Sequence, residues 1–367
     1  MKFLLSGNEA IARGAFEAGV SFASGYPGTP STEILENIAE FDDIDAQWSP
    51  NEKVALDVAV GASLGGRRSL VAMKHVGLNV ASDTLMTLSY TGVNGGLVIV
   101  SADDPGMHSS QNEQDNRNYA KFAKIPLLEP SDSQEAKDYV IRAFEISERF
   151  DTPVLVRITT RIAHSKSPVL TRRAVSKRRF SGSFKSMPSK YVMVPSNAQK
   201  RRIFVEERLA KLKKLSEKIG FNRIERGRSN LGIISSGISY VYAKEAAAEA
   251  SILKLGMTYP LPELLIKSFA AKYRPLYVIE ELDPFLEEQI KAMGVSVKGK
   301  ELFPSAYELN QDIIKGGFAG RGSPRIKGTE STKKSPSPCT GCFYLGIFYI
   351  FRKLNLKVMG DIGCYAL

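Results

Sequence analysis

Cysteine is nearly missing from this chain: there are three in 367 residues, all after position 338. That excludes a disulfide framework and fits a reducing compartment. Long apolar runs are missing too. The opening MKFLLSGNEA is too short for a secretory signal, and the late run Phe343–Phe351 falls far below a membrane span. A cytoplasmic protein with no membrane partner is expected. A hydrophobic content of 43% and a mean hydropathy of −0.15 describe a soluble globular chain. Its length leaves room for two or more domains.

Acidic residues are scarce in one stretch only. Lys166–Arg228 holds 19 basic and 4 acidic residues, whereas the remainder holds 31 and 35, so the net charge of +11 belongs to that stretch. Aromatics are sparse there and no helix-turn-helix or zinc pattern follows, so nucleic acid is not an expected partner. Within it, Ala198–Ile219 carries a narrow apolar stripe of Ile203, Leu209, Leu212, Leu215 and Ile219. The stripe predicts a solvated helical bridge.

Residues 1–160 alternate helical and strand patterns. Ser6-Gly7-Asn8-Glu9 reads as a capping box opening a helix through Ala18. Strands are expected at Val20–Ser24, Ala46–Trp48, Ser69–Lys74, Leu97–Ala102 and Pro153–Ile158. Helices are expected from Ser31 or Thr32 to Glu40 and near 79–90 and 133–148. This rhythm predicts an α/β fold, a parallel sheet covered on both faces.

Ser49–Gly66 organises the rest. Ser49, Pro50 and Asn51 predict a helix cap, with Val54, Ala55, Val58 and Ala62 buried behind it. Glu52 falls in the first turn, where the positive helix end favours a carboxylate. Taken alone, it serves either that dipole or a reaction. Polar residues gather after the strands, at Tyr26–Ser31, Ser49–Glu52, Lys74–Asn79 and Asp103–Arg117. In open α/β sheets, ligands bind at that edge. Gly77 offers room for a backbone to approach a ligand, and the long loop DDPGMHSSQNEQDNR reads as functional.

The strings SGNEAIARGAFEAGV, GYPGTPSTEI, NEKVALDVAVGASLGG, VAMKHVGLNVASD, HSSQNEQDNR and AKIPLLEPSDSQEA occur in that order. In them, residues 1–165 resemble the pyrimidine-binding domain of thiamine-diphosphate-dependent 2-oxoacid:ferredoxin oxidoreductases. The alpha subunits of the indolepyruvate enzymes are especially similar. The resemblance implies a catalytic role for Glu52 beside N1′ of the cofactor's aminopyrimidine. A carboxyl there exchanges a proton and so promotes loss of the cofactor's C2 proton. It implies cofactor contacts at Gly28, Thr29, Lys74, His75, Gly77 and Asn79. Substrate contacts are implied at Thr29, His108, Ser109 and Ser110, with Gln111 in the same loop. Plainer roles stay open: His75 bonding backbone, or the 108–111 loop packing on a partner subunit.

GIISSGISYVYAKE, LGMTYPLPELLIK and VIEELDPFLEEQIKAMG, within 229–315, resemble the same subunit's transketolase C-terminal-like domain. It is expected to be architectural. Its Ser-Ser-Gly turn before a helix suggests a phosphate site, though such turns are common. Glu280-Glu281 reads as a helix-capping or interface feature. Residues 166–228 are expected to be a basic linker and helix, and 316–338 a further linker. Residues 339–367 resemble the opening of the diphosphate-binding domain, truncated. Cys339, Cys342 and Cys364 are candidate ligands of a [4Fe–4S] cluster. CTGCFY replaces the usual CPGCPH, and no fourth cysteine completes the set.

The implied reaction is oxidative decarboxylation of an aryl 2-oxoacid, indolepyruvate, to an aryl-acetyl-CoA, with ferredoxin taking the electrons. The implied cofactors are thiamine diphosphate with Mg²⁺, and [4Fe–4S] in the full enzyme. A beta subunit, ferredoxin, CoA, the 2-oxoacid and the missing C-terminal half are the implied partners, in a homo- or hetero-oligomer. The alternatives are a related subunit with another 2-oxoacid and an inactive truncated or scaffold subunit.

Overall fold

Ser6 accepts the N–H of Glu9 at 3.2 Å while the Glu9 carboxylate accepts the N–H of Ser6 at 2.5 Å. The expected capping box therefore joins strand β1 (Lys2–Ser6) to helix α1 (Gly7–Glu17). The structure is a computed structural model that describes residues 1–172, 184, 186–320 and 338–360. Next come β2 (Phe22–Gly25), α2 (Thr32–Ile38), β3 (Asp45–Trp48), α3 (Glu52–Leu64), β4 (Ser69–Lys74) and α4 (His75–Thr91). They are followed by β5 (Leu97–Asp103), α5 (Arg117–Ala123), β6 (Leu127–Leu128), α6 (Ser133–Phe150), β7 (Val154–Thr159), α7 (Thr160–His164) and β8 (Lys166–Leu170).

A seven-stranded sheet runs in the order β12-β6-β7-β5-β4-β2-β3, where β12 is Met257–Tyr259. All its pairs are parallel except β12 with β6. Its middle strands explain why they read as apolar runs. Leu70, Ala72, Val98, Val100, Val154 and Val156 enter one buried cluster. Their alternates Val71, Met73, Ile99 and Leu155 enter the other. Side chains alternate across a strand, so a strand covered on both faces is apolar throughout.

Several boundaries differ from expectation. Helix α4 starts at His75, so His75 and Gly77 are buried helical residues and not loop residues. Helix α5 was not foreseen. Ser31 does not cap α2; its hydroxyl turns back to Gly28 O at 2.8 Å. In α3, Asn51 does cap, accepting Val54 N at 2.9 Å. The buried face is Ala55, Leu56, Ala59 and Ser63, while Val54, Val58 and Ala62 are half-buried. Lys166–Leu170, expected to head a basic linker, returns as β8 and pairs antiparallel with β1.

Beyond it lie α8 (Pro188–Tyr191) and α9 (Pro195–Ser216). Helix α9 is not a solvated bridge. Ile203 is exposed, and the buried residues are Val205, Arg208, Leu212 and Ser216. Cations of α8 and α9 converge on the far end of α4 and on the residues beside it. Arg208 donates to Ser89 O and Asp151 O, both at 2.8 Å. Arg201 donates to Tyr90 O at 2.6 Å, and Lys190 to Val93 O at 2.7 Å. Cations at a helix C-terminus complement its carbonyls, each by about 0.3–2 kcal/mol. Arg201 and Arg208, two cations of the basic stretch, thus fasten the C-terminal end of the helix that carries Gly77.

The second α/β layer contains β9 (Arg223–Glu225), β10 (Gly232–Ser236), α10 (Gly237–Ala246), β11 (Ser251–Leu255), α11 (Glu263–Ala270), β13 (Leu276–Ile279), α12 (Phe285–Ala292) and α13 (Gln311–Phe318). Its sheet runs β13-β10-β11-β9. Both layers lie within one unit, Met1–Ser323, and the segment β12 crosses between them to close the first sheet's edge. A separate unit, Pro324–Leu367, contains helix α14 (Tyr344–Lys353). No helix among the described residues is long and apolar enough to cross a membrane.

Candidate functional site

The parallel strands β2, β4 and β5 end side by side at Gly25, Lys74 and Asp103, and β3 ends beside β2 at Trp48. The chain after each end supplies one wall of the site. After β3, Asn51 turns the backbone into α3 and places Glu52 at its first position. After β4, the chain passes directly into α4. The two helices lie so close that a Cβ on Gly77 would sit 2.6 Å from Cγ and Oε1 of Glu52. Glycine is needed there because the space beside it holds the Glu52 carboxyl.

Glu52 is half-buried. Burial raises its pKa above the ordinary carboxylate value, opposed only in part by its own backbone N–H. A carboxyl of that kind holds and exchanges a proton closer to neutrality than a solvated one.

A Gly77→Ala substitution tests this contact. The methyl must displace the carboxyl. A misplacement of about 1 Å costs on the order of a hundredfold in rate. In the 2-oxoacid oxidoreductase that the sequence resemblance implies, turnover should fall by about that factor with an unchanged melting temperature. Equal activity would mean that Glu52 works from another position.

Thr29, Lys74, Ser109 and Ser110 form a second group. Lys74 donates to Ser109 O at 2.6 Å, and Ser109 Oγ approaches Thr29 O at 3.4 Å. Asp104 accepts the Ser109 N–H at 2.9 Å, the Thr160 hydroxyl at 2.7 Å and the Ser110 hydroxyl. Burial opposes ionisation of Asp104, but these donors outweigh it and its pKa is lowered. Gly28 lies under the Lys74 stem, 3.2 Å from Lys74 Cβ to the place of a Cβ. Sequence reasoning missed Asp104 as the knot of this loop. The only sequence signal is a repeated aspartate at a strand end.

His75 is buried, and its Nε2 donates to Asn112 O at 3.2 Å. Burial and then Lys74 lower its pKa, which keeps the ring neutral. Its Nδ1 has no partner among the described residues. Asn79 is exposed one turn further, and its Oδ1 accepts the Tyr119 hydroxyl at 2.7 Å. His108 lines a cleft with residues of the second layer. It lies 3.3 Å from Glu308 in this open cleft of about 560 Å³ with Arg161, Tyr242 and Tyr307. Gln111 is exposed.

Behind this edge the two ends of the polar loop are buried in ion pairs. Arg157 joins Asp103 and Glu129, each at 2.8 Å. Arg117 joins Asp115 at 2.5 Å and Glu280 at 2.6 Å. Glu280 also accepts the N–H groups of Leu286 and Glu287 at 2.9 and 3.0 Å, and Glu281 accepts that of Leu309 at 3.0 Å. The expected capping and interface role of this acid pair is therefore present. Burial pushes Asp103 up to about 6 and Glu281 up to about 7. Asn116 links the network to the site, donating to His75 O at 3.0 Å. The Ser-Ser-Gly turn at α10 faces an internal carboxylate: Ser236 Oγ lies 3.3 Å from Glu129.

Cys339 is exposed and Cys342 half-buried, and both are free thiols. Cys364 lies outside the described residues. No group of three or more His, Cys, Asp or Glu side chains able to hold a metal occurs among the described residues.

Residues 13–206 match the family "Pyruvate flavodoxin/ferredoxin oxidoreductase", described as thiamine diphosphate-binding. The indolepyruvate oxidoreductase subunit IorA of Archaeoglobus fulgidus is 40% identical over the whole of this chain, which spans 64% of that relative. The subunit of that name from Pyrococcus horikoshii is 41% identical over the whole chain, which spans 62% of it. A solved 2-oxoglutarate:ferredoxin oxidoreductase from Magnetococcus marinus has the same fold, with a TM-score of 0.70 at 15% identity. That match covers 87% of this chain and 65% of that one.

Proposed function

The chain belongs to the pyruvate flavodoxin/ferredoxin oxidoreductase family, and on that premise we propose that it forms the aminopyrimidine half of a thiamine-diphosphate site. The enzyme it serves oxidatively decarboxylates indolepyruvate and other aryl 2-oxoacids to aryl-acetyl-CoA. Ferredoxin takes the electrons, and a beta subunit and CoA complete the reaction. The observation that carries this reading is the Glu52 carboxyl, half-buried with a raised pKa and laid against Gly77. The missing side chain at Gly77 lets the carboxyl lie against the α4 backbone, a placement that suits an acid acting at the edge of an aminopyrimidine.

Thiamine diphosphate, when bound, supplies the carbanion chemistry that the side chains lack. Glu52 holds a proton at the aminopyrimidine N1′. Gly77 keeps the space beside that carboxyl open, and the cations of α9 fix the helix that carries Gly77. Thr29, Ser109 and Ser110 form the substrate side. Mg²⁺ and a [4Fe–4S] cluster belong to the proposed whole enzyme, and no described residue is assigned to either.

Two measurements test the reading. A polypeptide of residues 1–367, titrated calorimetrically with thiamine diphosphate and Mg²⁺, should bind weakly. One charge-assisted hydrogen bond contributes roughly 1.5–3 kcal/mol, whereas association costs about 4–15 kcal/mol. Micromolar, Mg²⁺-dependent binding would place the diphosphate grip within these residues. Second, the polypeptide joined to the part of its relatives that it does not span, with a beta subunit, should reduce ferredoxin with indolepyruvate and CoA. Preference for 2-oxoglutarate would assign another substrate, and no turnover with any 2-oxoacid would favour a scaffold.

A further inference from the structure

A 2-oxoacid carries a carboxylate that needs a cation or several donors. The cations near the Glu52 edge are few, and most are engaged. Arg117 and Arg157 are buried, each between two carboxylates. Arg161 pairs with Glu308 at 2.7 Å, and Lys53 with Asp83 at 2.8 Å on the surface. His75 is buried and donates to backbone. Lys74 differs. Among the described residues it has no carboxylate within 4.0 Å, although it is half-buried. One of its three N–H donors goes to Ser109 O at 2.6 Å, which leaves two.

The serines expected to meet the substrate are already engaged as donors. The Ser110 hydroxyl is held by Asp104, and Ser109 gives its N–H to Asp104 and its hydroxyl to Thr29 O. Neither hydroxyl can turn to a carboxylate without breaking this knot. The amine that the knot holds in place has two. Burial lowers the pKa of Lys74 and the nearby Asp104 charge offsets this only in part, so a carboxylate bonded directly to the ammonium would stabilise its charged form.

We propose that Lys74 is the residue that takes the substrate's carboxylate, with Ser109 and Asp104 as its positioning frame and Gly28 leaving room for its stem. Lys74 is then a substrate-binding residue and not a cofactor ligand. The assignment rests on the 2-oxoacid reading above. It applies to the carboxylate shared by all 2-oxoacids and leaves the aryl side chain to other residues.

The test uses the assembled enzyme and two readouts. Lys74→Met should raise KM for indolepyruvate about ten- to a hundredfold, the equivalent of one charge-assisted hydrogen bond. It should change kcat less, and Lys74→Arg should recover part of the loss. Independently of turnover, amine labelling read by mass spectrometry should show Lys74 protected by indolepyruvate but not by its methyl ester. An unchanged KM in a folded Lys74→Met enzyme overturns the assignment. So does equal labelling of Lys74 with and without indolepyruvate, whether or not the assembly turns over. Protection in an assembly that does not turn over would uphold Lys74 and count against the proposed reaction alone.

Discussion

Replacing Glu52 with Gln is expected to lower 2-oxoacid turnover of the assembled enzyme by about 10²- to 10⁴-fold, the usual span of a lost acid–base group. Gln is nearly isosteric, so the contact with Gly77 survives and the fold should not change. The amide cannot exchange the proton that a carboxyl exchanges. Asn51 still caps α3, because its bond to Val54 N does not involve residue 52. The raised pKa of Glu52 comes from burial, which the substitution leaves in place. Steady-state rates with melting curves on the same preparation decide the matter. Full turnover in a well-folded Glu52→Gln enzyme removes Glu52 from the reaction.

The largest expected effect on stability belongs to Arg117. Replaced by Met, it would leave Asp115 and Glu280 facing one another in the interior without their shared cation. Breaking a buried pair by removing one partner costs about 3–5 kcal/mol, because the remaining charge stays desolvated. Arg117 also donates to Glu281 O at 2.8 Å and lies over the Phe285 ring at 5.1 Å, so it ties the polar loop to the second layer. Denaturant unfolding of Arg117→Met should show that loss. Adding Glu280→Gln should return part of it, since one stranded charge is removed. A variant as stable as the parent would mean that the two layers are held together without this pair.

The sequence alone determined the elements whose signals are local. The strands β4, β5 and β7 were legible as apolar runs, because both of their faces are covered. The caps at Ser6 and Asn51 were legible because each bond spans three residues. Glu52 could be singled out from its place after a cap, and its loop neighbours from their places after strands. What Glu52 touches was decided by tertiary structure, since Gly77 is brought to it only when β4 lines up beside β2. The polar loop after β5 misled for a related reason. Sequence pattern reads charge as exposure, yet Asp103, Asp115 and Arg117 are buried, with partners supplied by β7 and by residues more than 160 positions away. The strand Met257–Tyr259 and the pairing of β1 with β8 were hidden likewise, because backbone pairing between distant segments leaves no periodicity in either. Local hydrogen bonds and burial on both faces are written within a few residues. Which charge meets which, and which carboxyl gains a cradle, follows only from the packing of the whole chain.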